Sequence, residues 1–182
     1  LRETRASANG NFIFGVEDFH TVWETVLRET VIRSSYDTKR NWNSELPKPV
    51  YLRRETAIHD SRNRGMQTDI ILEGNSSYTI VDAKYYTAKR AETAPGWPDI
   101  AKQMFYEKAL REVIDIDRET PHVIHNIFAF PSSTNVGPLS EVKLQHADGR
   151  AVSSAFPPIA CSYVSVRDAL KNYVVRSKGI QL

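Results

Sequence analysis

Hydrophobic side chains recur at three- and four-residue steps in residues 16–32, and polar side chains fill most positions between them. This spacing places the apolar residues on one face of a helix. The pattern therefore predicts an amphipathic helix, which we expect to be anchored on a sheet by Trp23. The residues that set the period are Phe19, Val22, Trp23, Val26, Leu27 and Ile32.

Short runs of β-branched and aromatic residues predict the strands of that sheet. A turn-rich connection at residues 73–77, containing Gly74 and Asn75, is suited to a hairpin between two of them. Pro131 is expected to end a third. The predicted strands are 50–57, 68–72, 78–85 and 126–130, with two further candidates at 141–145 and 159–164, and the predicted loops are 34–49 and 132–140.

Two further helices are predicted at residues 98–113 and 166–175. Pro98 is tolerated in a first helical turn, and the carboxylate of Asp99 suits the positive end of the helix dipole. The strand 126–130 follows the first of these helices, as in a crossover connection. The order of elements predicts a mixed α/β sandwich with a central sheet, built as one domain over residues 1–182.

Composition narrows the class of protein. With 41% hydrophobic and 25% charged residues, the sequence is typical of a soluble globular protein, and it contains no apolar run long enough to cross a bilayer. The single cysteine, Cys161, fits a reducing cytoplasm. Because the sequence begins with Leu1 rather than methionine, the alternative that it is a fragment of a larger enzyme stays open.

Basic residues are grouped along the chain, although the net charge is only +2. Grouping alone favours solvated loop charges, and a phosphate-binding face is the alternative. The groups are Lys39 and Arg40, Arg53 and Arg54, Arg62 and Arg64, Lys89 and Arg90, and Arg176 and Lys178.

A charged pair, Asp82 and Lys84, interrupts the apolar strand predicted at 78–85. Residues two apart share a face of a strand, so both side chains should project together, and burying them is costly unless they pair or hold a metal. A hairpin would bring the carboxylate of Asp69 close to them. Two carboxylates at one end of a sheet suit Mg²⁺ or Mn²⁺, and a neighbouring lysine can act on water and offset charge on a phosphate. The alternative is a surface salt bridge, because Asp-X-Lys alone is a common triplet.

Together these motifs resemble the PD-(D/E)XK nuclease superfamily, and within it restriction endonucleases of the LlaJI type. The resemblance covers roughly residues 19–131. It is carried by the segments 69–72, 80–86, 95–96 and 99–100, by Lys102, Gln103 and Tyr106, and by residues 19–24 in the first helix. One departure is Thr68, which stands where a proline often precedes the first acid.

The resemblance implies a role for each matching residue. Asp69 and Asp82 would bind a metal together with the backbone carbonyl of Ala83, and Lys84 would activate or orient the attacking water. Glu24 would complete the site, with a solvent-facing helix acid as the equal alternative. Gln103 would help position substrate, although Gln103 and Tyr106 taken alone are more typical of packing residues.

The implied fold is a restriction-endonuclease-like sandwich, a central mixed β-sheet flanked by α-helices. The implied activity is Mg²⁺-dependent hydrolysis of double-stranded DNA by the cleavage domain of a bacterial restriction enzyme, located in the cytoplasm; Mn²⁺ is the expected substitute. Cutting both strands would need a homodimer or a second nuclease subunit, and a separate domain that recognises the DNA sequence is a further expected partner. The alternatives are a repair or recombination nuclease of the same fold and a DNA-binding module that does not cleave.

Overall fold

The computed structural model describes residues 2–3, 14–15, 18–32, 40–53, 56–58, 65–114, 122–153 and 155–175. Its helices are α1 (Phe19–Ile32), α2 (Trp42–Glu45), α3 (Trp97–Ile114) and α4 (Val166–Val175), with a 3-10 turn at Ala91–Thr93. Its strands are β1 (Arg2–Glu3), β2 (Phe14–Gly15), β3 (Tyr51–Arg53), β4 (Thr56–Ile58), β5 (Ile70–Glu73), β6 (Ser77–Ala83), β7 (Val123–Ser132), β8 (Glu141–Val142) and β9 (Ile159–Ser165).

A five-stranded mixed sheet with the order β5-β6-β7-β9-β8 forms the centre of the fold. β5 and β6 make the predicted antiparallel hairpin, with Ile70 opposite Val81 and Ile71 opposite Ile80. β6, β7 and β9 run parallel, and α3 makes the crossover from β6 to β7. Two-stranded pairs, β1 with β2 and β3 with β4, stand apart from this sheet.

Hydrophobic cores lie on both faces of the sheet, because alternate residues of β6 point to opposite sides. Val81 and Ala83 pack with Trp23 and Leu27 of α1. Ile80 and Tyr78 instead belong to the cluster formed with α3 and with Trp42 of α2. The predicted α/β architecture with flanking helices is therefore confirmed, and it agrees with a restriction-endonuclease-like sandwich. None of the described helices is long and apolar enough to cross a membrane.

Several predicted boundaries were wrong. The segment 50–57 forms two short paired strands rather than one, and the loop predicted at 34–49 contains α2. Of the strand predicted at 141–145, only Glu141–Val142 forms.

Pro131 does not end β7, which continues to Ser132. Pairing with β6 stops at Ala129, whereas pairing with β9 runs on through Pro131 and Ser132. Within the described residues, Pro131 therefore has no strand partner on its β6 side, and its missing N–H costs no ladder hydrogen bond there.

Candidate active site

Asp82 and Lys84 lie side by side where β6 ends, as the strand periodicity predicted. Lys84 Nζ is 2.7 Å from Asp82 Oδ2. Both residues are buried, with relative exposures of 5% and 7%. Their neighbours Val81 and Ala83 face the core beneath α1. The pair is therefore not the exposed surface salt bridge that was the alternative interpretation.

Asp69 meets this pair through the hairpin. It directly precedes β5, and its Oδ2 accepts a hydrogen bond from the Ala83 N–H at 2.8 Å. Burial, followed by the negative charge of Asp82, raises the pKa of Asp69 from 3.8 to about 7, although the Ala83 hydrogen bond opposes the rise. The structure thus holds two carboxylates close enough to repel each other.

Lys84 is held between two acids, and the second is Asp99 in the first turn of α3. Lys84 Nζ donates a hydrogen bond to Asp99 Oδ1 at 2.6 Å. Burial alone lowers the pKa of an ammonium group, but the contacts with Asp82 and Asp99 outweigh it and raise the pKa of Lys84 above its ordinary value. From the sequence, Asp99 was predicted as a helix-start acid and as part of the segment 99–100 that carries the resemblance, but its contact with Lys84 was not predicted. The signal for that contact was its place in the first turn of the helix that follows Lys84.

Lys102 brings a second cation from α3. Its Nζ is 3.6 Å from Asp82 Oδ2, and its side chain is 43% exposed. Asp82 therefore faces two ammonium groups, Lys84 from its own strand end and Lys102 from the helix.

Glu24 lies on α1, one residue after the buried Trp23. Its side chain is half-buried, and its negative charge contributes to the raised pKa of Asp69. Glu24 and Asp69 line the same pocket of about 400 Å³ together with Arg28. The structure thus brings Glu24 close to the first acid, as expected, while its role as a ligand stays a prediction.

Gln103 is fully buried and does not present its side chain at the surface of the site. It is 0% exposed, and its Nε2 donates to the backbone carbonyl of Ile80 at 3.0 Å and lies 3.4 Å from Asn126 Oδ1. In this conformation its amide faces the interior, so it braces β6 from α3 and has no surface to offer a substrate. Tyr106, one turn further, donates a hydrogen bond to the Gln67 carbonyl at 2.5 Å. Both fit the packing interpretation.

Asn43 of α2 supports the site and was not predicted from the sequence. Its side chain makes three hydrogen bonds with Thr68, the residue before Asp69. One of them is donated by the Thr68 N–H, a bond that a proline cannot make. No periodic signal marks Asn43, because it lies in a segment rich in turn-forming residues.

The donor set fits a hard divalent cation better than a soft metal. Oδ2 of Asp82 is buried and, within the described part of the chain, makes ion pairs without a well-formed hydrogen bond. Also within that part, no three acidic, histidine or cysteine side chains converge closely enough to enclose a metal alone. A cation held here would therefore need ligands beyond the side chains of Asp69 and Asp82.

Exposed aromatic and basic side chains follow Lys84 along the chain, between the end of β6 and the start of α3. Tyr85, Tyr86 and Trp97 are exposed, and so are Lys89 and Arg90 in the segment between β6 and α3. Of the other basic groups seen in the sequence, Lys39, Arg54, Arg62, Arg64, Arg176 and Lys178 lie outside the described residues.

The mixed sheet with flanking helices and the buried acid–lysine centre agree with a restriction-endonuclease-like α/β domain. The sequence profile of the LlaJI restriction endonuclease family matches residues 2–160, and the chain belongs to that family. It is also similar to "Type II restriction enzyme BsuMI component YdjA" of Bacillus subtilis (strain 168), with 28% identity over 131 residues. That match covers 68% of this chain and 26% of the relative, so the chain spans about a quarter of the relative's length.

Proposed function

We propose that this chain is the DNA-cleaving domain of a Mg²⁺-dependent restriction endonuclease with a PD-(D/E)XK site. The observation that carries the proposal is the convergence of Asp69, Asp82 and Lys84 at the end of the β5–β6 hairpin. The Ala83 N–H aligns Asp69, and the ammonium of Lys84 lies 2.7 Å from Asp82. Membership of the LlaJI family supports the reaction class.

The residues present fit a divalent cation. Asp69 and Asp82 would hold it, with the carbonyl of Ala83, Glu24 and water completing the oxygen ligands that Mg²⁺ or Mn²⁺ prefers. The raised pKa of Asp69 reflects the burial and repulsion that such a cation relieves. When bound, the cation would lower the pKa of a water molecule and offset phosphate charge.

Lys84 would act on the phosphate as a fixed cation. Its contacts with Asp82 and Asp99 hold the ammonium in one place and favour its charged form. A charge fixed in a partly buried site stabilises the negative charge that grows on the phosphate oxygens, at little cost in reorganisation. From the same position Lys84 would orient the attacking water.

Double-stranded DNA is the proposed substrate, and the bacterial cytoplasm is the proposed location. Lys89 and Arg90 would contact phosphates, which adds affinity without reading sequence. One such site cuts one strand, so cleavage of both strands would use a homodimer or a second nuclease subunit. The relative's name describes a component of a restriction enzyme, and the chain corresponds to a quarter of it, which favours an assembly with a separate recognition domain.

A supercoiled plasmid tests the activity, because a single cut converts it to the nicked circle. The protein is incubated with methylated and unmethylated plasmid in Mg²⁺, with EDTA as the control, and the ends are mapped. We expect nicked or linear products in Mg²⁺ alone. DNA binding without products in Mg²⁺ or Mn²⁺ would contradict the proposal and favour a binding module. Cleavage confined to branched DNA would instead indicate a repair nuclease.

A further inference from the structure

Asn43 binds every polar group of Thr68. Its Oδ1 accepts the backbone N–H of Thr68 at 2.9 Å and the hydroxyl at 2.7 Å. Its Nδ2 donates to the Thr68 carbonyl at 2.9 Å. Thr68 is only 5% exposed, so these groups have little access to water and depend on Asn43.

Asn43 can hold Thr68 because α2 is itself anchored to the sheet. The neighbouring Trp42 is buried and packs edge-on against Tyr78 of β6, with ring centroids 5.3 Å apart. The guanidinium of Arg40 lies over the Trp42 ring, with Cζ 3.7 Å from the ring centroid. The same guanidinium pairs with the carboxylate of Glu45. A helix of four residues is thus fixed by packing rather than by its own hydrogen bonds.

The carbonyl of Asp69 is fixed separately by α1. Arg28 Nε donates to the Asp69 carbonyl oxygen at 3.0 Å. Asn43 fixes the peptide group that precedes Asp69, and Arg28 fixes the carbonyl of Asp69 itself. The backbone is therefore held on both sides of the Asp69 Cα, which sets the direction of the Asp69 side chain. That direction brings Oδ2 to the Ala83 N–H.

We propose that Asn43 is a positioning residue that sets the carboxylate of Asp69 for cation binding. The inference rests on the proposed function, in which Asp69 is a ligand. Side chains that orient a metal ligand typically change metal affinity about 10- to 100-fold when removed.

Amide hydrogen exchange tests the positioning without any metal. The Ala83 N–H donates to the Asp69 carboxylate, whereas the next amide, Lys84 N–H, donates to the Ala129 carbonyl. In EDTA, Asn43→Ala should speed exchange at Ala83 about tenfold or more while Lys84 changes much less. Asn41→Ala is the matched control, since the Asn41 side chain makes no cap hydrogen bond. Equal acceleration at both amides would show a merely structural role and overturn the inference.

Calorimetric titration with Ca²⁺ tests whether this positioning strengthens cation binding. Asn43→Ala should weaken Ca²⁺ binding about tenfold or more. Thr68→Val removes only the hydroxyl bond and should have a small effect that disappears in the Asn43→Ala background. If the wild type cleaves DNA and Asn43→Ala binds Ca²⁺ as tightly as the wild type, the inference about Asn43 is overturned while the proposed function stands. A wild-type protein that neither binds Ca²⁺ nor cleaves DNA would overturn the proposed function and this role with it.

Discussion

Replacing Asp69 by asparagine should stabilise the metal-free protein while it abolishes cleavage. Asparagine has nearly the same shape, and its Oδ1 can still accept the Ala83 N–H. The substitution removes one of two negative charges that repel each other in a partly buried site. Because the proposed function needs both carboxylates, stability and activity should change in opposite directions.

The size of the effect follows from the pKa of Asp69. A rise from 3.8 to about 7 corresponds to roughly 4 kcal/mol of unfavourable free energy for the ionised form, at about 1.4 kcal/mol per pH unit. Asp69 keeps partial contact with solvent, and Lys84 and Lys102 offset part of the charge of Asp82. We therefore expect a gain of about 1–3 kcal/mol at pH 8.

The pH dependence has a definite sign. The folded-state pKa of Asp69 lies above its unfolded value, so the folded protein binds this proton more tightly. The wild-type stability contributed by Asp69 therefore falls as the pH rises from about 4 to about 7 and then levels off. The advantage of Asp69→Asn should be smaller at pH 5 than at pH 8, where the whole effect is present.

Urea unfolding in EDTA, followed by tryptophan fluorescence, measures this advantage. Asp148→Asn is the matched control, because Asp148 is exposed and its pKa is lowered by hydrogen bonds from Arg150, so its loss should slightly reduce stability. Adding Ca²⁺ should stabilise the wild type more than Asp69→Asn and narrow the gap. An Asp69→Asn protein that is less stable than the wild type at pH 8 in EDTA would show that the Asp69 charge does not destabilise the metal-free protein.

Three further substitutions probe other contacts. Asp99→Ala removes one of the two acids that hold Lys84, and the single-turnover cleavage rate should fall about tenfold without loss of the folded state, as checked by circular dichroism. Gln103→Leu leaves the Ile80 carbonyl and the Asn126 side chain without this buried donor, and urea unfolding should show a loss of about 1–3 kcal/mol. Tyr163→Phe removes the hydroxyl that donates to the Ala88 carbonyl at 2.7 Å, and the same assay should show a loss of about 1–2 kcal/mol with DNA cleavage unchanged. An unchanged cleavage rate in Asp99→Ala would contradict the role given to that contact. An unchanged free energy of unfolding in Gln103→Leu or Tyr163→Phe would do the same for theirs.

The centre of the site could be predicted because it depends on local chain geometry. The alternation of strand residues placed Asp82 and Lys84 on one side of β6, and the turn-rich connection containing Gly74 and Asn75 predicted the hairpin that brings Asp69 to Ala83. These relations need only the period of a strand and the length of a turn.

The supports of the site could not be predicted because they arise from tertiary packing. Asn43 reaches Thr68 across 25 positions of sequence, and the fixed position of α2 depends on where Trp42 packs. Asp99 reaches Lys84 only because α3 crosses over that end of the sheet. The helical position of Gln103 was predicted, but its burial against the Ile80 carbonyl depends on how closely α3 approaches β6.

Cleavage of supercoiled plasmid by Asp82→Ala and Lys84→Ala in Mg²⁺ tests directly whether this acid–lysine centre is the nuclease site. The matched controls are Asp148→Ala and Lys143→Ala, whose side chains are exposed in the region after β8, at the opposite edge of the sheet from β5. We expect both site variants to stay folded and to lose cleavage, while both controls cut at the wild-type rate. Full activity in Asp82→Ala and Lys84→Ala would contradict the assignment of this centre as the nuclease site.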